Sequence, residues 1–242
     1  MSERTLVLIP AFNAARTVGD VVRECKTILA DVAVVDDGSA DDTGTVAAAA
    51  GARVLRHPQN RGKGAALKTG FAYALEQGYE AVVTLDADGQ HLPREIPKFL
   101  RRREETGADL IIGGRAHLFD QMLPRRRLAN RFSAWTIARA SRTGITDSQS
   151  GYRLYSANLL RSVRLRSDGF DLESEVIVRA GRDGFKVITT PIDLGFVDGL
   201  STSHYKPLMD TLRIAWTVTR ARFFWRKMPL SPQAPCDPRH VC

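Results

Sequence analysis

Apolar and polar positions alternate in blocks along the first half of the chain. Residues 5–9, 32–35, 82–85 and 110–112 are short runs rich in branched side chains and bounded by turn chemistry, as buried parallel strands are. Between them, residues 17–29, 42–50, 65–76 and 93–104 repeat their apolar positions at the helical period. This alternation predicts an α/β domain with a mostly parallel central sheet and helices on both faces. In such sheets the functional loops lie beyond the carboxyl ends of the strands. Downstream, residues 118–143 are helical in pattern and strongly basic. A helix is expected over 172–180, a strand over 187–192, and an amphipathic helix over 207–226. No internal repeat or domain boundary interrupts residues 1–228, which are read as one domain that includes the C-terminal amphipathic helix. The proline-rich residues 229–242 are read as a flexible tail.

Charge narrows the class of partner. Lys and Arg total 35 against 27 Asp and Glu, a formal net charge of +8, and only seven of the 35 are Lys. Arg matches phosphate and carboxylate bidentately, so this balance points to a phosphate-bearing partner: nucleic acid, anionic lipid or nucleotide. Cys25, Cys236 and Cys242 form neither a disulfide framework nor a zinc spacing, which points to a reducing compartment. The start Met-Ser-Glu-Arg-Thr has no signal-peptide character, and no 18-residue apolar stretch occurs. The expectation is a cytoplasmic protein, soluble or peripheral at the cytoplasmic face of a membrane.

The loops after the strands carry the chemistry. Asp86-Ala87-Asp88 places two carboxylates directly after a strand, with Gln90 two residues on. That donor set suits a hard cation such as Mg²⁺ or Mn²⁺, and equally a turn that caps the helix opened by Pro93. Asp36-Asp37-Gly38-Ser39 follows another strand. Its carboxylates can accept from a nucleobase or ribose, or simply shape the turn. Asn60-Arg-Gly-Lys63-Gly is a glycine-rich helix start but not a P-loop, open either to a phosphate or to a plain loop-to-helix transition. His57, His91, His117 and His240 show no metal-ligand spacing and no role is expected of them.

The order of these segments is more specific than any one of them. Pro10-Ala-Phe12-Asn13, Val35-Asp-Asp-Gly-Ser39, Asn60-x-Gly-x-Gly-Ala65, Asp86-Ala-Asp-Gly-Gln-His91 and Gln149-Ser-Gly-Tyr-Arg153 together resemble family-two glycosyltransferases of the GT-A fold. Within that family they resemble the dolichyl- or polyprenyl-phosphate glycosyltransferases. The resemblance runs from about Thr5 to Arg226. It implies that Pro10, Phe12, Asn13, Asp36 and Asp37 hold the nucleoside, with Lys63 near the donor. It implies that Asp86, Asp88 and Gln90 bind Mg²⁺ or Mn²⁺ on the diphosphate, beside Ala87. Arg115, Arg131 and Arg153, with Ser150 and Lys206, would contact donor and acceptor phosphates, and Asp88 and the three Arg would be the catalytic set. Ala14 departs from the pattern, which often has an acidic residue there.

The activity so implied is inverting transfer of one sugar from a UDP- or GDP-sugar to a polyprenyl phosphate at an anionic membrane surface. A metal would stabilise the leaving diphosphate. The Gln-x-x-Arg-Trp motif of processive synthases is absent. A hydroxyl acceptor is the alternative within enzymes. A nucleic-acid-binding protein would explain the Arg count but not the acidic loops, so no nucleic acid is expected; a catalytically idle membrane scaffold leaves Asp86 and Asp88 without a purpose.

Overall fold

The structure, a computed structural model, describes residues 3–115 and 134–195. Arg131, Lys206, the basic stretch 116–133, the expected helix over 207–226 and the tail lie outside the described residues.

Among the described residues, seven strands form one sheet in the order β3-β2-β1-β4-β6-β5-β7. They are β1 (Thr5–Ala11), β2 (Val32–Asp36), β3 (Arg53–Arg56), β4 (Ala81–Thr84), β5 (Leu110–Gly114), β6 (Arg153–Ser156) and β7 (Val187–Pro191). All ladders are parallel except those of β6, which runs antiparallel to β4 and to β5. The helices are α1 (Val18–Lys26), α2 (Thr43–Ala49), α3 (Lys63–Glu76), α4 (Ile96–Thr106), α5 (residues 134–141), α6 (Ala157–Ser162) and α7 (Asp171–Arg182). A single 3-10 turn, Pro93–Glu95, leads into α4.

The period of two along each strand divides the core. Leu6, Leu8, Ala33, Val35, Val82, Leu110 and Ile112 face α3, α5, α6 and α7, where Leu67, Phe71, Ile137 and Val176 meet them. Val7, Ile9, Val32, Val34, Val83 and Ile111 face the other way, onto Val18, Val22, Ile96 and Phe99 of α1 and α4. The helices form because their apolar residues fall on one face: α1 buries Val18, Val21, Val22 and Cys25 at steps of three and four.

Every expected strand and helix within the described residues is present, shifted at its ends by a few residues. Two strands were not expected. β3 is an edge strand whose terminal residues, Arg53 and Arg56, are exposed. β6 contains a charged residue that is nevertheless fully buried. β6 matters for position: running antiparallel, it brings its leading loop, residues 148–152, to the edge where the parallel strands end.

Candidate active site

At that edge, β4 delivers Asp86 two residues beyond its end. The Asp86 backbone N–H donates to His91 Nδ1 at 3.0 Å, so the loop folds back on a buried imidazole. Burial pushes His91 down to about 4, which keeps it neutral and able to accept that bond. The ring also packs on Tyr152, with centroids 5.1 Å apart. Thr17 Oγ1 donates to the Ala87 carbonyl at 2.6 Å and fastens the loop to the start of α1. Asp88 Oδ1 accepts from the Gln90 backbone N–H at 3.0 Å.

Lys63, the first residue of α3, reaches the same point. Its ammonium lies 2.6 Å from Asp86 Oδ1 and 3.4 Å from Glu173 Oε1 of α7. Burial opposes ionisation of Asp86, but the Lys63 charge overcomes it and holds the carboxyl at about 2. Burial alone would lower Lys63; Asp86 and Glu173 instead hold it above the ordinary lysine range. Asp88 goes the other way: burial, then the neighbouring Asp86 charge, raises its pKa. Gly151 abuts the pair. A Cβ there would stand 2.7 Å from Lys63 Nζ and 3.0 Å from Asp86 Oδ2, so only glycine leaves the contact undisturbed.

The loops after β1 and β2 are stitched to each other. Asn13, with a positive φ of 51°, donates its backbone N–H to Ser39 Oγ at 2.9 Å, and its Oδ1 accepts from the Ala40 N–H at 2.9 Å. Ala14 N–H donates to Thr43 Oγ1 at 2.7 Å. Asp36 is buried; its Oδ1 accepts from the Ser39 N–H at 3.0 Å, while Oδ2 makes no hydrogen bond but lies 3.4 Å from Arg56 Nε. Asp37 is also buried and fully engaged. It accepts from the N–H groups of Arg61 (3.0 Å) and Gly62 (2.7 Å), and Oδ1 lies 2.6 Å from His57 Nδ1. Gly62 has φ +97°, a conformation other residues rarely adopt, and this bend starts α3 with Lys63 aimed at Asp86. Asp37 and His57 therefore place Lys63 rather than face the crevice. Pro10 and Phe12 lie half-buried on the same rim.

The expected phosphate-contacting residues separate. Arg115 is at the rim and forms a bidentate pair with Asp147, Nε to Oδ2 at 2.8 Å and Nη2 to Oδ1 at 3.2 Å. Arg153 corrects the expectation outright. It is wholly buried, and its guanidinium donates to the carbonyls of Glu173 (2.6 Å), Ser150 (2.7 Å) and Ser148 (3.0 Å). It braces the protein interior and presents nothing to a phosphate. Ser150 is likewise buried, with Oγ 3.4 Å from the Tyr152 N–H. The structure thus brings Lys63, Asp86, Asp88 and Arg115 together, and adds Glu173 and His91. Neither addition was expected: Glu173 sits inside a helical pattern, and no spacing marked His91, although its place five residues after Asp86 lets it close the loop.

Among the described residues no cluster of three or more His, Cys, Asp or Glu side chains stands ready to hold a metal. The carboxylate pair is what an oxygen-seeking cation would find, and the mutual strain on Asp88 fits a site that gains from positive charge. Acidic loops gathered at the carboxyl edge of a mostly parallel sheet, with one antiparallel strand feeding the same crevice, define a GT-A-like transferase fold. The sequence profile of Glycosyl transferase family 2 matches residues 6–164, and the chain belongs to that family of glycosyltransferases. It is 35% identical over 211 residues to the polyprenol monophosphomannose synthase of Mycolicibacterium smegmatis, covering 79% of this chain and 77% of that one. It is 31% identical over 208 residues to the undecaprenyl-phosphate mannosyltransferase of Micrococcus luteus, covering 78% and 82%. Glucosyl-3-phosphoglycerate synthase of Mycobacterium tuberculosis, crystallised with Mn²⁺, UDP and glucosyl-3-phosphoglycerate, shares the fold. Its TM-score is 0.65 at 21% identity, covering 91% of this chain and 80% of that one.

Proposed function

We propose that this glycosyltransferase moves a single sugar from a nucleotide-sugar, UDP- or GDP-linked, to a polyprenyl phosphate, with inversion at the sugar C1. The observation that carries the proposal is the Lys63–Asp86–Asp88 constellation at the carboxyl edge of the sheet. The two relatives named above act, by their names, on polyprenyl acceptors, and that supports a lipid phosphate here. In this reading Asp86, Asp88 and Gln90 hold Mg²⁺ or Mn²⁺, which supplies charge stabilisation for the departing diphosphate. Pro10, Phe12, Asn13 and the Asp36–Ser39 turn form the nucleoside side of the crevice. Asp37 sets the position of Lys63. Arg115 orients phosphate at the opposite rim, joined by Arg131 and Lys206. An acceptor phosphate is already an anion, so it needs orientation more than a strong general base. No described helix is long and apolar enough to cross a membrane, and the lipid would be met at an anionic membrane surface on the cytoplasmic side.

The test is direct. Purified protein is offered UDP- and GDP-sugars with polyprenyl phosphate, with Mn²⁺ present or chelated. Lipid-linked sugar that forms only with the ion is expected, and Asp88→Ala should abolish it while leaving the fold intact. Transfer to free saccharides alone would remove the lipid-phosphate reading. Transfer indifferent to chelation would remove the metal.

A further inference from the structure

Lys63 faces more carboxylate than one ammonium needs. Asp86 Oδ1 is 2.6 Å from Nζ, and Glu173 Oε1 waits 3.4 Å away on its other side. Glu173, in the first turn of α7, is only 7% exposed, and its Oε1 has no hydrogen-bond partner. With the ammonium at 3.4 Å and no hydrogen bond, this buried carboxylate oxygen gains if Nζ moves closer to it. The neighbourhood permits one. The Phe170 ring, 5.8 Å from Nζ, offers a soft wall, and Gly151 lacks the Cβ that would crowd the ammonium. The lysine stem is flexible, so a shift from one carboxylate to the other needs no backbone movement.

Asp86 is also the carboxylate proposed for the divalent ion. A divalent ion drawn to Asp86 repels the ammonium already 2.6 Å from Oδ1, and in a low-dielectric crevice that repulsion is strong. We infer that Lys63 is a displaceable counter-cation: a divalent ion competes with it for Asp86, and Glu173 receives the ammonium when the ion binds. The inference rests on the metal role proposed for Asp86 and Asp88 and assigns Glu173 a positioning role that acts through Lys63. It keeps Asp86 beside a cation whether or not the ion is bound. It also makes ion affinity depend on a residue that never touches the ion.

Binding of Mn²⁺ alone to the full chain, followed by the electron paramagnetic resonance of free Mn²⁺, tests this without turnover. The set is wild type, Lys63→Met, Glu173→Gln and the double variant, each checked for fold by circular dichroism. Lys63→Met is expected to tighten Mn²⁺ binding by about tenfold, because the competitor is gone. Glu173→Gln is expected to weaken it about fivefold in the wild-type background and less than about twofold with Lys63→Met, since Glu173 then has nothing to receive. A Glu173→Gln effect equal in both backgrounds would overturn the inference, as would Lys63→Met that leaves Mn²⁺ affinity unchanged or weaker. Lys68, which pairs with Asp168 on the outer part of α3, controls for general charge. Lys68→Met should leave Mn²⁺ binding unchanged, and tightening equal to that of Lys63→Met would reduce the effect to bulk electrostatics and overturn the exchange. Failure of wild type and Lys63→Met alike to bind Mn²⁺ overturns both the metal reading and the exchange. Sugar transfer that stops on chelation keeps the metal reading standing when only the exchange fails.

Discussion

Replacing Arg153 by Met separates a structural brace from a phosphate ligand. The side chain is wholly buried, and three carbonyls, those of Ser148, Ser150 and Glu173, accept from its guanidinium. Met fills much of the volume but donates nothing, so the Ser148 and Ser150 carbonyls lose this donor, while that of Glu173 keeps its bond inside α7. At about 1–2 kcal/mol for each of these two carbonyls, the loss is about 2–4 kcal/mol. That is a large part of the roughly 5–15 kcal/mol that holds a typical domain folded. With a urea dependence of about 3 kcal/mol per molar, the unfolding midpoint should fall by about 0.7–1.3 M. Arg153→Lys should fall between, since one ammonium cannot span three carbonyls as the planar fork does. Tryptophan fluorescence against urea measures this, with acceptor KM determined in parallel below the transition. A midpoint within about 0.3 M of wild type, together with a raised acceptor KM, would refute the brace and restore a phosphate contact.

Three further outcomes are expected. Gly151→Ala puts a methyl group 2.7 Å from Lys63 Nζ, a flexible side-chain end, so kcat should drop by about tenfold or more with little change in thermal stability; a normal kcat would show that the contact is dispensable. Burial, with Glu24 adding to it, pushes the Cys25 thiol up to about 12. In a Cys236→Ser/Cys242→Ser variant it should resist iodoacetamide at pH 8.5 until denaturant is added, and rapid native labelling would contradict its placement. Burial of Asp147 opposes ionisation, but Arg115 holds its pKa below the ordinary value. A carboxylate depressed on folding contributes stability that is complete above its unfolded pKa of about 3.9 and is lost as pH falls below it. The stability gap between wild type and Asp147→Asn should therefore be full at neutral pH and close below about pH 4; a gap that persists at pH 2 would rule out the charge pair as its source.

The sheet was legible wherever burial and hydrophobicity agree. β1, β2, β4 and β5 carry continuous branched runs because both faces are covered, and that pattern alone places the loops after them at one crevice. β6 was illegible for a physical reason. Arg153 opens a strand of only four residues, Arg-Leu-Tyr-Ser, too short to show a period, and a buried, carbonyl-satisfied guanidinium cannot be told from a surface one by residue type. The same residue misled the reading of the site, since an Arg after Gln149-Ser-Gly-Tyr looks like a phosphate contact. Asp37 shows the limit from the other side. Its spacing marked it as chemical, but both carboxylate oxygens are used by His57, Arg61 and Gly62, twenty or more residues further along. Long-range hydrogen bonds of this kind leave no local pattern. Glu173 entered the site for a similar reason: α7 packs over the start of α3, where the Ala65 N–H donates to the Asp168 carbonyl.

The reversed direction of β6 has a consequence for how such a molecule diversifies. β5 leaves the sheet after Gly114, and the chain rejoins it at Arg153, with Ile112 and Arg153 paired across the two strands. Departure and return lie side by side at the crevice, so the intervening stretch is an excursion anchored at both feet. The described part of that stretch is tied down again, by Ile137 of α5 in the core and by Gly151 against Lys63 and Asp86, so a change there is felt at the loops that gather around Asp86. The reversed strand therefore couples the two sides of the crevice, and what is altered between β5 and β6 is registered at the ion pair beyond the end of β4.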